Sequence, residues 1–189
     1  MEKLKAAPVL ETPRLTLRSH RLEDFAAFAA MWADLTVVRY IGGEPLSEQD
    51  AWTKLLRYVG HWSVMGFGYW AVEEKTTGRF LGALGFANFK RAIQPSLGNT
   101  PEAGWIFSPA AQGQGFATEA LRAALAWGEP RFDHSKTVCL INPENLASIR
   151  LAEKFGYEET RRVVYKDRPA ILFSRLRRAP AGPPTTHPE

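Results

Sequence analysis

Cys139 is the only cysteine among 189 residues. A lone cysteine excludes an internal disulfide and any zinc site built on cysteine pairs, and it suits a reducing compartment, so a cytoplasmic protein is expected. No apolar run approaches the roughly 18 to 20 residues that a membrane-spanning helix needs, and no membrane association is expected. The opening "MEKLKAAPVLETPRL" lacks the apolar segment and small-residue cleavage site of a secretory leader. Acidic clusters of the kind that would hold a polyamine or an aminoglycoside are missing, and no metal site is expected. The formal charge is +4 and the pI about 9.3, but no helix carries a row of Lys and Arg, and no C-x2-C or RNP-like aromatic motif occurs. Nucleic acid is therefore not an expected partner; a mildly basic surface suits an anionic small molecule.

What remains is the composition of an ordinary globular domain, 45% hydrophobic and 23% charged. "PRLTLR" alternates like a strand, and in "RLEDFAAFAAMWADL" Phe25, Phe28, Ala29, Trp32 and Leu35 fall on one helical face. Ser47 and Asp50 form a capping-box start for a helix whose Trp52, Leu55, Leu56, Val59 and Trp62 are predicted to face inward. A hairpin is predicted around Thr77 and Gly78, then a loop through "KRAIQPSLGNTPE", then a strand "EAGWIFS". A helix over residues 117–127, a strand "KTVCLI", a helix ending at the C′ glycine Gly156, and an antiparallel pair "ETRRVVY" and "PAILFSR" complete the reading. Hairpins beside one strand–helix–strand crossover define an α/β protein with a mixed sheet. One domain is expected over residues 10–178, with an N-terminal extension at 1–9 and a disordered tail at 179–189, "PAGPPTTHPE" and the residue before it having nothing to bury.

The chemistry-bearing stretch is "AQGQGFATEAL". Gly113 and Gly115 stand immediately before a good helix start. The first N–H groups of a helix have no intrahelical partner and carry partial positive charge, so a turn without side chains there lets a phosphate approach the main chain. A P-loop needs G-x4-G-K-[ST], and no lysine follows. A dinucleotide fingerprint needs a third glycine where Thr118 stands, and should follow the first strand rather than the fourth. The pattern Q/R-x-x-G-x-G/A fits, as Gln112, Gly115 and Ala117.

That pattern resembles the acetyl-CoA pyrophosphate loop of the GNAT N-acetyltransferase superfamily. "ETPRLTLR", "EAGWIFSP", "GQGFATEAL" and "NLASIRLAEKFGY" follow in that family's order, most similar to the branch holding the ribosomal-protein alanine N-acetyltransferases. The resemblance implies a mixed, mostly antiparallel twisted sheet of about six to seven strands and about four helices, with the two central strands splayed. It implies acetyl-CoA as co-substrate, held by Ile106, Phe107, Ser108, Gln112, Gly113, Gln114, Gly115, Phe116, Ala117, Thr118, Asn145 and Ser148. It implies direct acetyl transfer to a primary amine, on a small molecule or a protein N-terminus, by a monomer or homodimer. A non-catalytic acyl-CoA-binding module on the same fold is the alternative, because the tyrosine that many members place seven residues after the asparagine is here Ala152.

The chemistry sets what else to look for. Deprotonating a lysine-like amine at neutral pH costs roughly 4.6 kcal/mol, an α-amine only about 1 to 1.4 kcal/mol. Glu102, at the start of the cofactor strand, is the expected base, ahead of Glu73 and His61. Ser148 is the nearest polar group to the departing sulfur. Cys139 reads as core. Trp62, Phe67, Tyr69 and Trp70 are candidates for an apolar acceptor pocket, with "RYIGGEP" and the final hairpin as further walls.

Overall fold

The computed structural model describes residues 6–177; the expectation of a disordered tail falls outside them. Eight strands form one sheet in the order β1-β2-β3-β4-β5-β6-β8-β7. They are β1 (Leu10–Glu11), β2 (Leu15–Arg18), β3 (Tyr69–Glu74), β4 (Phe80–Ala87), β5 (Glu102–Phe107), β6 (Lys136–Ile141), β7 (Glu158–Tyr165) and β8 (Arg168–Leu176). Every pairing is antiparallel except β5 with β6. The α-helices are α1 (Phe25–Ala33), α2 (Leu35–Val38), α3 (Glu48–Met65), α4 (Phe116–Gly128) and α5 (Leu146–Lys154). The strand β1 and the single-turn α2 exceed the expected count; both are too short to show a period in the sequence.

Two apolar clusters lie on opposite faces of the sheet. One packs α4, α5, Trp62 and Trp70 against Leu15, Leu17, Ala103 and Phe107; the other packs α1 and α3 against Tyr69, Ala83 and Ile106. Alternation along β5 divides its side chains between them. Ala103, Trp105 and Phe107 go to the α4–α5 face, and Ile106 to the α1–α3 face.

Helix α3 starts where the capping box puts it, with the Ser47 hydroxyl accepting from the Asp50 N–H at 3.1 Å. Its buried stripe is Ala51, Leu55, Tyr58 and Trp62, whereas Trp52, Leu56 and Val59 are exposed. The expected inward face is thus turned by about a residue: Tyr58 buries its ring by stacking on Tyr69 at 4.3 Å between centroids, and Trp52 packs edge-on to Phe25 at the surface. Trp62 and Trp70, expected as candidates for a pocket wall, lie in the core. Both are buried edge-to-face with Trp127, and their indole N–H groups donate to the carbonyls of Tyr69 and Pro8. Cys139 is buried, and burial raises its thiol pKa well above the ordinary value, which leaves it inert.

Candidate active site

The parallel strands β5 and β6 meet at one register position only, Glu102 opposite Val138, with the Val138 N–H donating to the Pro101 carbonyl at 3.1 Å. Beyond it no register position joins them, while β5 stays paired with β4 and β6 with β8 along their lengths. The backbones of Glu102, Gly104 and Ile106 face β4; the Ile106 carbonyl lies so close to Gly82 that a Cβ there would collide with it. The backbones of Trp105 and Phe107 face the gap. Of the strand residues expected to hold the cofactor, Phe107 turns its main chain to the gap and Ile106 turns its own to β4; Trp105, which was not among them, also turns its main chain to the gap.

At the C-terminal end of β5 the chain passes Ser108 and a one-turn 3-10 segment, Pro109–Ala111, into the glycine stretch. Gly113 and Gly115 both take positive φ, +73° and +78°, a conformation in which glycine alone is unstrained. From Gly113 to Thr118 no backbone N–H has an acceptor among the described residues; the first that does is Glu119, to the Gly115 carbonyl at 3.1 Å. Gln112, Gly113, Gln114 and Gly115 are exposed, Phe116 is buried, and Ala117 and Thr118 are half-buried. The Gln114 side chain folds back to donate to the Ala110 carbonyl at 2.6 Å, clear of this N–H array. Nothing lies within 4 Å of a Cβ placed on Gly113, and only an Arg14 nitrogen, at 3.5 Å, meets one on Gly115. The cradle is bare, and its donors suit an anion such as a pyrophosphate.

Arg14, which the sequence reading passed over, braces this turn. Its guanidinium donates to the Gln114 carbonyl at 2.9 Å, pairs with Glu119 at 2.7 Å and lies over the Phe116 ring at 4.5 Å. Glu119 also accepts from the Thr12 hydroxyl and the Arg14 N–H at 2.7 and 2.8 Å. Burial opposes its charge, and these hydrogen bonds outweigh it, holding the carboxyl below the ordinary carboxylate range. The contacts join residues 105 and 107 positions apart, so no local pattern announces them.

On the same face of the sheet, Asn145 caps α5, its side-chain oxygen accepting from the Ser148 N–H at 3.1 Å. That oxygen is occupied, leaving the amide NH2 for any other partner. The Trp105 indole N–H donates to the Ser148 hydroxyl at 3.1 Å. An indole N–H only donates, so Ser148 accepts there and its own proton is free for another acceptor. Ala152 is fully buried in the core.

Glu102 stands at the opposite end of β5, on the other face. It is 4% exposed and accepts from Arg91 through both oxygens, each at 2.6 Å. Burial disfavours the Arg91 charge, but the Glu102 carboxylate more than compensates and raises the guanidinium pKa. A bidentate pair occupies two of about four lone-pair sites of a carboxylate. Beside it a cavity of about 200 Å³ is lined by residues 87–91, 96–100 and Glu102. Glu73, by contrast, is paired with Arg18 at 2.7 Å, and the His61 ring nitrogens face the carbonyls of Arg57 and Asn88 at 2.7 and 3.4 Å.

The fold and the geometry define an acyltransferase-like arrangement: an anion cradle, an open strand edge, and polar groups on both faces of the gap. Residues 14–158 match the acetyltransferase (GNAT) domain, and the chain belongs to that family. It is 30% identical to the uncharacterised protein YkkB of Bacillus subtilis over 178 residues, 91% of this chain and 98% of that one. A solved structure from Bordetella pertussis, assigned to the GNAT-family acetyltransferases, superposes with a TM-score of 0.78 at 31% identity, covering 90% of this chain and all of the other. At 20% identity, the spermidine N-acetyltransferase of Vibrio cholerae, solved with CoA and spermine, shares the fold with a TM-score of 0.68, covering 88% of this chain and 97% of the other.

Proposed function

We propose that this protein transfers the acetyl group of acetyl-CoA directly to a primary amine. The observation that carries the reading is the run of backbone N–H groups from Gly113 to Thr118, without an acceptor among the described residues, opening onto the edge of β5 that faces the gap. The diphosphate of CoA would lie on the N–H groups of Gln114 to Ala117, and its pantetheine arm along the main chain of Phe107 and Trp105. Related structures bind CoA, as the Vibrio cholerae enzyme does.

The bound thioester supplies an activated carbonyl and a thiol of ordinary pKa near 8.5, which leaves at modest cost. Ser148, already accepting from Trp105, directs its free hydroxyl proton toward the departing sulfur from the α5 face. The amine comes from the opposite face, through the cavity beside Glu102. With lone pairs remaining outside its bonds to Arg91, Glu102 takes the amine proton directly or through water. The cavity, about 200 Å³, is below the roughly 300 Å³ at which whole small-molecule sites begin, so it takes the amine end of an acceptor.

Incubation with acetyl-CoA and a panel of amines and peptides tests this, with thiol release followed optically and products by mass spectrometry. Thiol release with one acetyl group added to an amine is expected. Tight CoA binding without acetylation of any amine would instead favour the non-catalytic module.

A further inference from the structure

Around Phe89 and Arg91, two residues of the acceptor cavity's lining, positive charge gathers with a single carboxylate partner among the described residues. Lys54 and Arg57 come from α3, Arg91 from the loop between β4 and β5, and Lys166 from the β7–β8 turn. The Arg57 and Arg91 guanidiniums lie over the Phe89 ring, 4.9 and 5.0 Å from its centre. Arg91 also lies 4.7 Å from the Tyr165 ring centre, and the Lys166 ammonium 6.0 Å. Lys54 is half-buried with its ammonium 4.1 Å over Trp32. Only Arg91 has a carboxylate partner, Glu102; Lys54, Arg57 and Lys166 form no salt bridge among the described residues.

The groups act on one another. Burial first, then the charges of Arg57, Arg91 and Lys166, lower the Lys54 pKa to about 8, with Asp50 alone opposing. Setting the half-buried Lys54 and Arg91 beside the exposed Arg57 and Lys166 clusters like charges, which opposes folding, and the cost is recovered when an anion binds. Planar guanidiniums held on aromatic rings are presented in the fixed orientation that carboxylate and phosphate oxygens match.

We propose that the acceptor carries a carboxylate or phosphate on the same molecule as its amine, the acid held by Lys54, Arg57 and Arg91 while the amine enters beside Glu102. This rests on the acetyltransferase reading of the site and narrows it: polyamines become poor acceptors, because their second cation would meet Lys54 and Arg57. Phe89 and Arg91, which line the cavity, connect the anion site to the amine site.

The test is equilibrium binding to the full chain saturated with CoA, by calorimetry, using matched probes. Glycylglycine is compared with glycylglycinamide, O-phosphoethanolamine with ethanolamine, and spermidine is added as a cation. The anionic member of at least one pair is expected to bind at least about ten-fold more tightly, the size of one charge-assisted contact, and the responding pair distinguishes carboxylate from phosphate. The preference should shrink toward unity in about 0.5 M salt and in Arg57→Gln and Lys54→Met, and persist in Lys136→Gln, which changes an exposed cation on β6. Thermal denaturation of each variant checks that it is folded. Equal binding within both pairs, tighter binding of spermidine, or a preference that survives both variants overturns the inference. Turnover is read separately: an anionic preference without acetylation of any amine contradicts the transferase reading and leaves the anion site standing.

Discussion

Replacing Gly115 by glutamate places a bulky acid in the middle of the proposed diphosphate cradle, and the structure separates its effect on folding from its effect on binding. At φ +78° a residue with a Cβ carries left-handed strain of about 1 to 2 kcal/mol. Its Cβ would meet only an Arg14 nitrogen at ordinary contact distance, 3.5 Å, so no backbone clash adds to that. In a protein of this size the strain corresponds to a fall in Tm of roughly 2 to 8 °C. Binding suffers more. A carboxylate about 6 Å from a phosphate at an effective dielectric of about 20 repels it by roughly 3 kcal/mol per charge, close to a hundred-fold in affinity, before the lost N–H contacts count. Calorimetry with acetyl-CoA, beside a melting curve, reads both. The expected result is a folded protein whose acetyl-CoA affinity has dropped at least about a hundred-fold, with Gly115→Ala intermediate. A folded variant of undiminished affinity would refute the cradle.

Ser148→Ala removes one hydrogen bond to the leaving sulfur and should lower kcat about three- to ten-fold with acetyl-CoA affinity little changed; an unchanged kcat under single-turnover conditions removes Ser148 from the reaction. Glu102→Gln should reduce turnover at neutral pH at least about ten-fold and reduce acetyl-CoA affinity much less, and turnover equal to the parent would deny Glu102 the base role. His20 is half-buried, but its ring nitrogens are shut off from solvent with no hydrogen-bond partner among the described residues; that desolvation holds it neutral, its pKa falling from 6.5 to about 4. The unfolded chain then takes up this proton first as the pH drops, so stability is full above pH 6.5 and declines toward pH 4, by about 3 kcal/mol in all. His20→Phe should remove that part of the acid limb in urea titrations at pH 7 and pH 4.5, and parallel curves for the two proteins would contradict it.

The elements were legible because their signals are local. Ser47 with Asp50, Gly115 before an alanine-rich run, and Gly156 after Lys154 each fix a helix end within one turn. The α3 face was not legible: Leu55 and Trp62 fit two overlapping stripes at spacings of three and four, and only tertiary packing chooses the one that buries Tyr58 over the one that buries Trp52. The cofactor loop could be read from spacing because backbone donors need bareness more than partners. The acceptor side could not, because Arg91 reaches Glu102 through a loop that folds back on β5, and Lys54 and Lys166 meet only when α3 and the β7–β8 turn converge. The Arg14–Glu119 brace was hidden for the same reason.

A crystal structure of the protein with CoA bound tests the central claim most directly. The account predicts a diphosphate within hydrogen-bond distance of the N–H groups of Gln114 to Ala117, and a pantetheine arm between β5 and β6 whose thiol ends between Ser148 and Glu102. CoA bound anywhere else, or β5 and β6 closed into a continuous ladder beside it, would contradict it.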